Sequence, residues 1–288
     1  MNKRHIFASP LIYILFFFIN ISCKKDASLS GMNSGGNLKC TAEQAGGRSA
    51  DSVKFFDSNI QSGSLSAYFN VINPTKISIV NDPVYGLKRK VVFMDVKNTD
   101  NAGLTANPRA QLESPKQYVA GQNIWVGLSV YFTKKMYTKW FDFAEVYGPP
   151  YSAAAPFRLI IERSNISAVS FDGSKETRLW SEPMKAGVWY DFVYRELLSK
   201  DKGEVEVYVR RQGEKNFSQV VTTTVQPTIT AANSSGPNYS KVSCYWDKEN
   251  TWTDSTKSER VTSAQIYLSN HKVGRNFNEV APGYITKN

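Results

Sequence analysis

The chain has 288 residues and a formal net charge of +10, with 35 Lys and Arg against 25 Asp and Glu. It contains only two histidines and three cysteines, which are too few for the usual zinc site and leave few ways to build a Ser-His-Asp triad. We therefore expect no metal ion in its functional site and no other cofactor, and whether a structural calcium is bound is left open.

The first 22 residues are typical of an export signal. Lys3 and Arg4 precede an apolar run at 11–21, which is shorter than the about 20 residues that a membrane-spanning helix needs. The run ends directly before Cys23, and this junction resembles a bacterial lipobox, whose cysteine is lipidated after cleavage. A lipobox more often has leucine where this chain has Asn20, so the alternative is an ordinary signal peptide with a chance cysteine.

Lipidation at Cys23 predicts an outer-membrane lipoprotein. The residues at 24–26 resemble the charged sorting tract of some surface lipoproteins, so we expect surface exposure; otherwise the protein is periplasmic or secreted. Residues 23–37 are rich in Ser, Gly and Asn and are predicted to be a lipidated tether. Residues 38–288 remain for the folded part, a usual length for one sandwich or barrel, and none of its segments is apolar enough to cross a membrane.

The charge of the mature part suggests a partner. Loss of the signal leaves 33 basic residues against 25 acidic ones, a formal charge of +8, which favours encounter with a polyanion. Nucleic acid is not expected, because no binding motif is present, so an acidic polysaccharide is the natural candidate. Mild basicity that serves only solubility is the alternative. Whether Cys40 and Cys244 form a disulfide is left open, and a monomer is expected.

Runs with a period of two dominate the folded part. They predict strands at 76–80, 90–96, 124–132, 157–162, 189–195, 204–209 and 263–268. The hairpin signal at 201–203 makes the fifth and sixth of these strands antiparallel. One short helix is predicted at 133–139. Many short strands with little helix predict an all-β single domain, an antiparallel sandwich or jelly roll.

Three further segments combine the polar side chains that a sugar acid needs, because alternate residues of a strand share a face. The three groups are Arg109, Gln111 and Glu113; Glu145 and Tyr147; and Tyr239, Lys241 and Tyr245. The assignment of the second group is the weakest, since Phe141 and Phe143 alternate in phase with Glu145 and Tyr147. In a regular strand all four side chains would lie in the core, unless a β-bulge intervenes.

Together these segments resemble motifs of the jelly-roll polysaccharide lyases, namely the heparin-lyase-I-like and glucuronan-lyase groups and the family 7 alginate lyases. Those enzymes carry an Arg-x-Glu-type strand, a Gln-x-His strand and a late Lys-x-x-x-Tyr strand. Residues 109–113 match the first, and Lys241 with Tyr245 match the third. Glu145 and Tyr147 stand where the family has Gln and His. The resemblance spans most of residues 90–275.

The resemblance implies cleavage of a uronate-containing polysaccharide by β-elimination. Tyr245 is then the base and acid, and Lys241 and Arg109 supply positive charge. The implied sugar-binding residues are Gln111, Glu113, Glu145, Tyr147, Tyr239 and His271. The absence of the usual His implies syn elimination, in which one tyrosine accepts and then donates the proton, and which the family links to glucuronate or mannuronate. An ionised Glu145 would repel the substrate carboxylate, so it is protonated, paired with Arg109, or not the group that neutralises that carboxylate.

Several alternatives remain open. His271 is a rival base, but the residues at 267–274 are more typical of a core strand and its turn, which favours a structural or rim position. Tyr239 and Tyr245 are also compatible with ordinary sheet-surface aromatics, and Arg109 with Glu113 with an exposed ion pair. A non-catalytic carbohydrate-binding lipoprotein would not need Tyr245 close to Lys241. A sandwich-fold glycoside hydrolase needs two carboxylates, and its Glu-x-Asp-x-x-Glu signature is absent. The candidate substrates are glucuronan, ulvan, alginate and a glycosaminoglycan.

Overall fold

The computed structural model describes residues 53–101, 107–148, 155–248 and 261–284. The predicted signal, the tether, Cys23 and Cys40 lie outside the described residues. In chain order the described strands are β1 (Phe56–Asp57), β2 (Asn70–Ile72), β3 (Ile77–Asp82), β4 (Gly86–Lys97), β5 (Arg109–Glu113), β6 (Asn123–Phe132), β7 (Phe141–Tyr147), β8 (Phe157–Glu162), β9 (Asn165–Phe171), β10 (Glu176–Pro183), β11 (Trp189–Leu197), β12 (Gly203–Arg211), β13 (Ser218–Gln226), β14 (Tyr239–Trp246) and β15 (Ser263–Gly274). A short helix, α1 (Phe277–Val280), and 3₁₀ turns at Ile60–Ser62, Pro74–Lys76 and Ala232–Ser234 complete the described elements.

The strands form two antiparallel sheets. Sheet A has the order β13-β12-β11-β6-β15-β4-β3, with β1 paired to β15, and sheet B has the order β10-β9-β8-β7-β14-β5-β2. Neighbouring strands are often distant in sequence, as β14 is from both β7 and β5, so the chain crosses repeatedly between the sheets. The predicted all-β sandwich of a single domain is confirmed, and so is the antiparallel pairing of β11 with β12.

The core lies between the inner faces of the two sheets. Alternation along β6 buries five apolar side chains completely, namely Ile124, Val126, Leu128, Val130 and Phe132. The ring of Phe143 from sheet B lies 5.5 Å from those of Phe132 and Phe192 from sheet A. Burial of each such side chain contributes about 1.5–3 kcal/mol, so this interdigitation fixes which face of each strand points inward.

The helix predicted at 133–139 is wrong. These residues form an irregular connection from β6 to β7. Met136 is buried in the core, and the hydroxyl of Thr138 donates to the carbonyl of Trp140 at 3.0 Å. A helix of seven residues is marginal by itself, so these tertiary contacts decide the conformation.

The chain after β15 packs on the outer face of sheet A. A Cβ atom at Gly127 of β6 would overlap the carbonyl of Val280, so this position requires glycine. Arg210 of β12 donates to the carbonyls of Pro282 and Gly283 at 2.6 and 3.1 Å, which fixes the segment after α1. Among the described residues, no helix has the length and hydrophobicity that crossing a bilayer requires.

Candidate active site

Three neighbouring strands of sheet B bring the predicted polar residues onto one face. Their order is β7-β14-β5, and the face is the outer one, because the alternate residues of these strands lie in the core. In β14, Tyr245 lies opposite Arg109, and Lys241 lies opposite both Glu113 and Glu145. Side chains more than one hundred residues apart in the chain therefore meet at one place.

A β-bulge explains how Glu145 reaches the outer face. Phe141 and Phe143 lie in the core, as their parity predicts, but both pairings of β7 shift register between Asp142 and Ala144. Phe143 and Ala144 are both buried in the core, and the alternation resumes with the opposite phase. The bulge thus removes the conflict between the aromatic stripe and Glu145.

Tyr245 is held between two side chains. The guanidinium carbon of Arg109 lies 4.5 Å from the centre of its ring, and the ring of Trp140 meets it edge-on at 4.9 Å. The Lys241 ammonium is 5.9 Å from the same ring centre. A cation over an aromatic face is attracted by its quadrupole, so Arg109 both orients the phenol and places positive charge beside it.

Lys241 and Glu145 form a buried ion pair. Lys241 is 6% exposed and Glu145 is 4% exposed, and the ammonium contacts the Oε1 atom of Glu145. The sequence left three alternatives for Glu145: a protonated carboxyl group, a pair with Arg109, or no role in neutralising the substrate carboxylate. In the structure, Glu145 is paired with Lys241 instead. The charge of Lys241 is therefore balanced by Glu145. Arg109 is the cation that stacks on Tyr245.

Gln111 offers an unused hydrogen-bond donor. Its side chain is 2% exposed and lies between Arg109 and Glu113 on β5, opposite Ser243 of β14. Its Nε2 atom has no hydrogen-bond partner in the described part of the chain. Leaving a buried donor unsatisfied costs about 1–3 kcal/mol, which a bound acceptor would recover. An amide donor beside a guanidinium suits a carboxylate ligand.

Asp142 and Arg158 extend the site beyond the predicted set. A terminal nitrogen of Arg158 donates to Asp142 at 3.2 Å, and the other contacts Glu176. Burial raises the pKa of Asp142 to about 6, and the charge of Glu145 adds to this effect, while Arg158 opposes it. One carboxyl group of the site therefore titrates near neutral pH.

Aromatic rings continue the face beyond Lys241. Tyr147 and Tyr239 meet edge-on with ring centres 6.4 Å apart, and the Lys241 ammonium lies 5.4 Å from the ring of Tyr147. The ammonium of Lys116 lies 5.8 Å from the ring of Tyr239 and 5.5 Å from that of Phe69, which is 63% exposed. Rings and cations in alternation suit an acidic sugar chain, whose apolar ring faces stack and whose carboxylates need cations.

No family model matches this sequence, and no curated protein sequence matches it. The structure is similar to that of an endo-β-1,4-glucuronan lyase from the fungus Trichoderma reesei, with 15% identity over 81% of this chain and 99% of that chain and a TM-score of 0.54. The chain therefore has the jelly-roll fold of that glucuronan lyase.

Two further structures are similar at lower scores. A catalytic domain of glycoside hydrolase family 131 from Coprinopsis cinerea has 15% identity over 77% of this chain and 83% of that chain, with a TM-score of 0.47. An alginate lyase of polysaccharide lyase family 7 has 14% identity over 64% and 79%, with a TM-score of 0.41.

His271 lies away from this face of the lyase-like fold. It is 1% exposed, between the two sheets, where a hydrogen bond of 2.8 Å joins its Nε2 atom to the Oγ atom of Ser240. Its ring stacks on Tyr68 and meets Phe56 edge-on. Burial lowers its pKa to about 3, so it is neutral. The inclusion of His271 in the sugar-binding set is therefore corrected: a structural position is right, and a rim position is wrong.

Arg158 and Asp142 were not among the predicted site residues, although the alternation of their strands indicates that both face outward. Arg158 alternates with Phe157 and Leu159, and Asp142 with Phe141 and Phe143, so each lies between core residues on the polar side of its strand. Their partnership requires the register of β7 with β8, which no local pattern gives. Within the described ranges, no group of three or more His, Cys, Asp and Glu side chains is arranged to hold a metal ion.

Proposed function

We propose that this protein is a polysaccharide lyase that cleaves a uronate-containing polysaccharide by β-elimination, with Tyr245 as both base and acid. The observation that carries the proposal is the guanidinium of Arg109, stacked 4.5 Å above the half-buried ring of Tyr245. This contact places a cation beside a group that can transfer a proton. The same face carries the Nε2 donor of Gln111, which has no hydrogen-bond partner among the described residues. The lyase-like fold supports the same reaction class.

The proposed reaction begins with the substrate carboxylate. Arg109 and Gln111 donate hydrogen bonds to it, which stabilises the negative charge that develops when the C5 proton leaves. The phenolic oxygen of Tyr245 accepts that proton, the bond from C4 to O4 breaks, and a double bond forms between C4 and C5. The same oxygen then returns the proton to O4 of the leaving sugar, which restores the tyrosine to its starting state. Proton and leaving oxygen depart from one face of the ring, so the elimination is syn.

Lys241 acts in this proposal through its partner. Its ion pair holds the carboxylate of Glu145, which keeps that negative charge engaged beside the substrate carboxylate. Glu113 is held in turn by the amide of Asn70 at 3.0 Å. Tyr147, which is partly exposed, binds the neighbouring sugar by stacking. Tyr239 is only 2% exposed and supports the ring of Tyr147 from the side, so its predicted contact with the sugar is corrected.

Glucuronate and mannuronate polymers are the proposed substrate class. Syn elimination by tyrosine needs no histidine, and the resemblance to the lyase families links syn elimination to these two sugars. Glucuronan comes first in a test, since the structure with a TM-score of 0.54 is a glucuronan lyase. Alginate, ulvan and a glycosaminoglycan follow.

The deciding experiment is an absorbance assay for unsaturated uronate, combined with a reducing-end assay, on a panel of these four polymers. A lyase raises both signals on at least one polymer. A glycoside hydrolase raises only the reducing ends, and a carbohydrate-binding lipoprotein raises neither. Either of the last two results would reject the proposed reaction.

We also propose that lipidation at Cys23 anchors the protein in the outer membrane with the enzyme exposed at the cell surface. Replacing Cys23 by Ser is expected to abolish labelling with a lipid precursor and to move the protein into the soluble fraction. Unchanged fractionation and no labelling of the unmodified protein would indicate an ordinary cleaved signal.

A further inference from the structure

The outer face of sheet A carries a row of four aromatic side chains. Register places Trp189 of β11 opposite Tyr131 of β6, Tyr131 opposite Tyr267 of β15, and Tyr267 opposite Phe93 of β4. Successive ring centres are 5.6, 5.7 and 4.7 Å apart. Tyr131, Tyr267 and Phe93 are only partly buried, so the row presents ring surface across three neighbouring strands.

The row ends at a small cleft in the protein surface. Trp189 belongs to both. The cleft is also lined by three arginines, two carboxylates and two tyrosines, namely Arg89, Arg210, Arg211, Asp191, Glu214, Tyr85 and Tyr284. It lies where the ends of β11 and β12 meet the segment after α1, on the side of the sandwich opposite Tyr245. It is thus separate from the candidate active site.

Arg89 is the arginine of this cleft with hydrogen-bonding capacity left over. It is 7% exposed, and its guanidinium carbon lies 4.6 Å above the ring of Trp189. Its contact with Asp82 is a loose ion pair of 3.4 Å, and its Nη2 atom has no hydrogen-bond partner among the described residues. Arg210 and Arg211, in contrast, each donate to carboxylates at hydrogen-bonding distance. A buried guanidinium with an unused donor is a ready partner for an anion.

We propose that this face is a second, non-catalytic binding site for a segment of acidic polysaccharide. A uronate carboxylate accepts a hydrogen bond from Nη2 of Arg89, and the following sugars stack on Tyr131, Tyr267 and Phe93. Two features favour this ligand over an apolar one: the row leads to a cation, and the mature part carries a formal charge of +8. The inference rests on the proposed function only for the class of polymer.

Two sites on opposite sides of one domain would hold the enzyme on its polymer. A segment bound at Arg89 raises the local concentration of cleavable chain around Tyr245, and this gain requires no new contact at the active site. The second site therefore changes the KM for long chains and leaves the kinetics on short oligosaccharides unaltered.

The test measures retention of the full mature chain in gels that contain glucuronan or alginate. The variant is Tyr131→Ser combined with Tyr267→Ser, and the matched control is Tyr208→Ser, another partly buried tyrosine of the same outer face that packs on Trp125 and Phe277 instead. We expect the affinity for at least one polymer to fall about tenfold in the variant, equivalent to about 1.4 kcal/mol, and to be unchanged in the control.

Arg89→Lys is the second variant, since it keeps the charge beside Asp82 and loses only the planar donor. It is expected to weaken retention severalfold even if the double variant does not fold. Equal retention of Arg89→Lys and the unmodified protein, or no retention of the unmodified protein by any polymer, would overturn the proposal. Retention needs no reaction, so a protein that binds through Tyr267 but forms no unsaturated product would reject the lyase and leave the second site standing.

Discussion

The outer faces of the two sheets differ in how many of their charged side chains are buried. On sheet B, six charged side chains are each less than 10% exposed, namely Arg109, Glu113, Asp142, Glu145, Arg158 and Lys241. On sheet A, Asp82, Arg89 and Arg210 in and beside the cleft are buried to the same degree. Away from the cleft, Arg195 pairs with Glu204 and Glu206 at 2.7 and 2.6 Å in partly exposed positions. Solvated pairs of the second kind contribute little and are ordinary, whereas desolvated charges cost free energy and persist where function needs them. The six buried charges of sheet B therefore support the active site proposed on that face.

The largest expected difference between the faces concerns one hydroxyl group on each. Tyr245→Phe is expected to reduce the rate of unsaturated product formation by about 10⁴-fold, because a positioned acid or base contributes up to about that factor and Tyr245 performs both transfers. Binding of polymer should remain, since the ring and its packing are kept. Tyr208→Phe on sheet A removes a hydroxyl that bonds to Glu206 at 2.9 Å and should leave the rate unchanged. Substantial activity in Tyr245→Phe would refute the tyrosine mechanism.

A second difference concerns the stability contributed by one carboxylate on each face. Glu145→Gln leaves the ammonium of Lys241 buried without its counter-ion, which is expected to lower the free energy of unfolding by about 3–5 kcal/mol. Glu204→Gln breaks a partly exposed pair with Arg195 and should cost less than about 1 kcal/mol. Urea titration measures both. Equal losses would mean that the two faces do not differ in the way described.

A third prediction concerns the space between the sheets. His271 has its pKa lowered to about 3 by burial, so the unfolded chain takes up a proton below pH 6.5 that the fold excludes. Its contribution to stability is complete above pH 6.5 and is lost as the pH falls from 6.5 towards 3, by at most about 1.4 kcal/mol per pH unit. His271→Gln should therefore unfold less steeply with acid and retain its lyase rate. A lost rate with intact folding would restore His271 as a candidate base.

The smallest effect is expected from titration of Asp142. Its pKa of about 6, raised mainly by burial, means that it gains a proton as the pH falls through 6 and leaves the site one unit more positive. The KM for a uronate polymer should then fall about threefold between pH 7 and pH 5. Asp142→Asn should show the low KM throughout this range, whereas Asp95→Asn, on the outer face of sheet A, should keep the unmodified profile. A pH-dependent KM in Asp142→Asn would assign the titration to another group.

The part of the site that sequence could predict is the part built on uninterrupted alternation. Arg109 shares a face with Gln111 because β5 alternates regularly, and Lys241 shares one with Tyr245 for the same reason in β14. β7 could be predicted only conditionally, since the phase of Glu145 depends on a bulge that no turn residue marks. The ion pair of Lys241 with Glu145 could not be predicted, because it depends on register between strands nearly one hundred residues apart.

The fold shows the same limit in other terms. Hydrophobic periodicity predicted β8 to the residue: Pro156 precedes it, and a turn at Arg163 and Ser164, both with positive φ, follows it. The same periodicity ended the regular alternation of β15 at 268 and assigned the residues up to 274 to a core strand and its turn. β15 itself continues to Gly274, with His271 buried against Tyr68. A buried neutral histidine has no sequence signature of its own. Hydrophobic periodicity therefore fails to mark a strand residue that is polar but buried, because its hydrogen-bond partner comes from another part of the chain.

The position of Tyr284 matters for anyone who produces this protein. It is 44% exposed and lines the cleft beside Arg89. A polyhistidine tag fused directly after Tyr284 would start next to that cleft and offer imidazole rings and a terminal carboxylate to the same arginine. Purified enzyme would then carry its own competitor, and polymer affinity would be underestimated. A tag fused at the other terminus, ahead of the folded part, does not introduce this competitor.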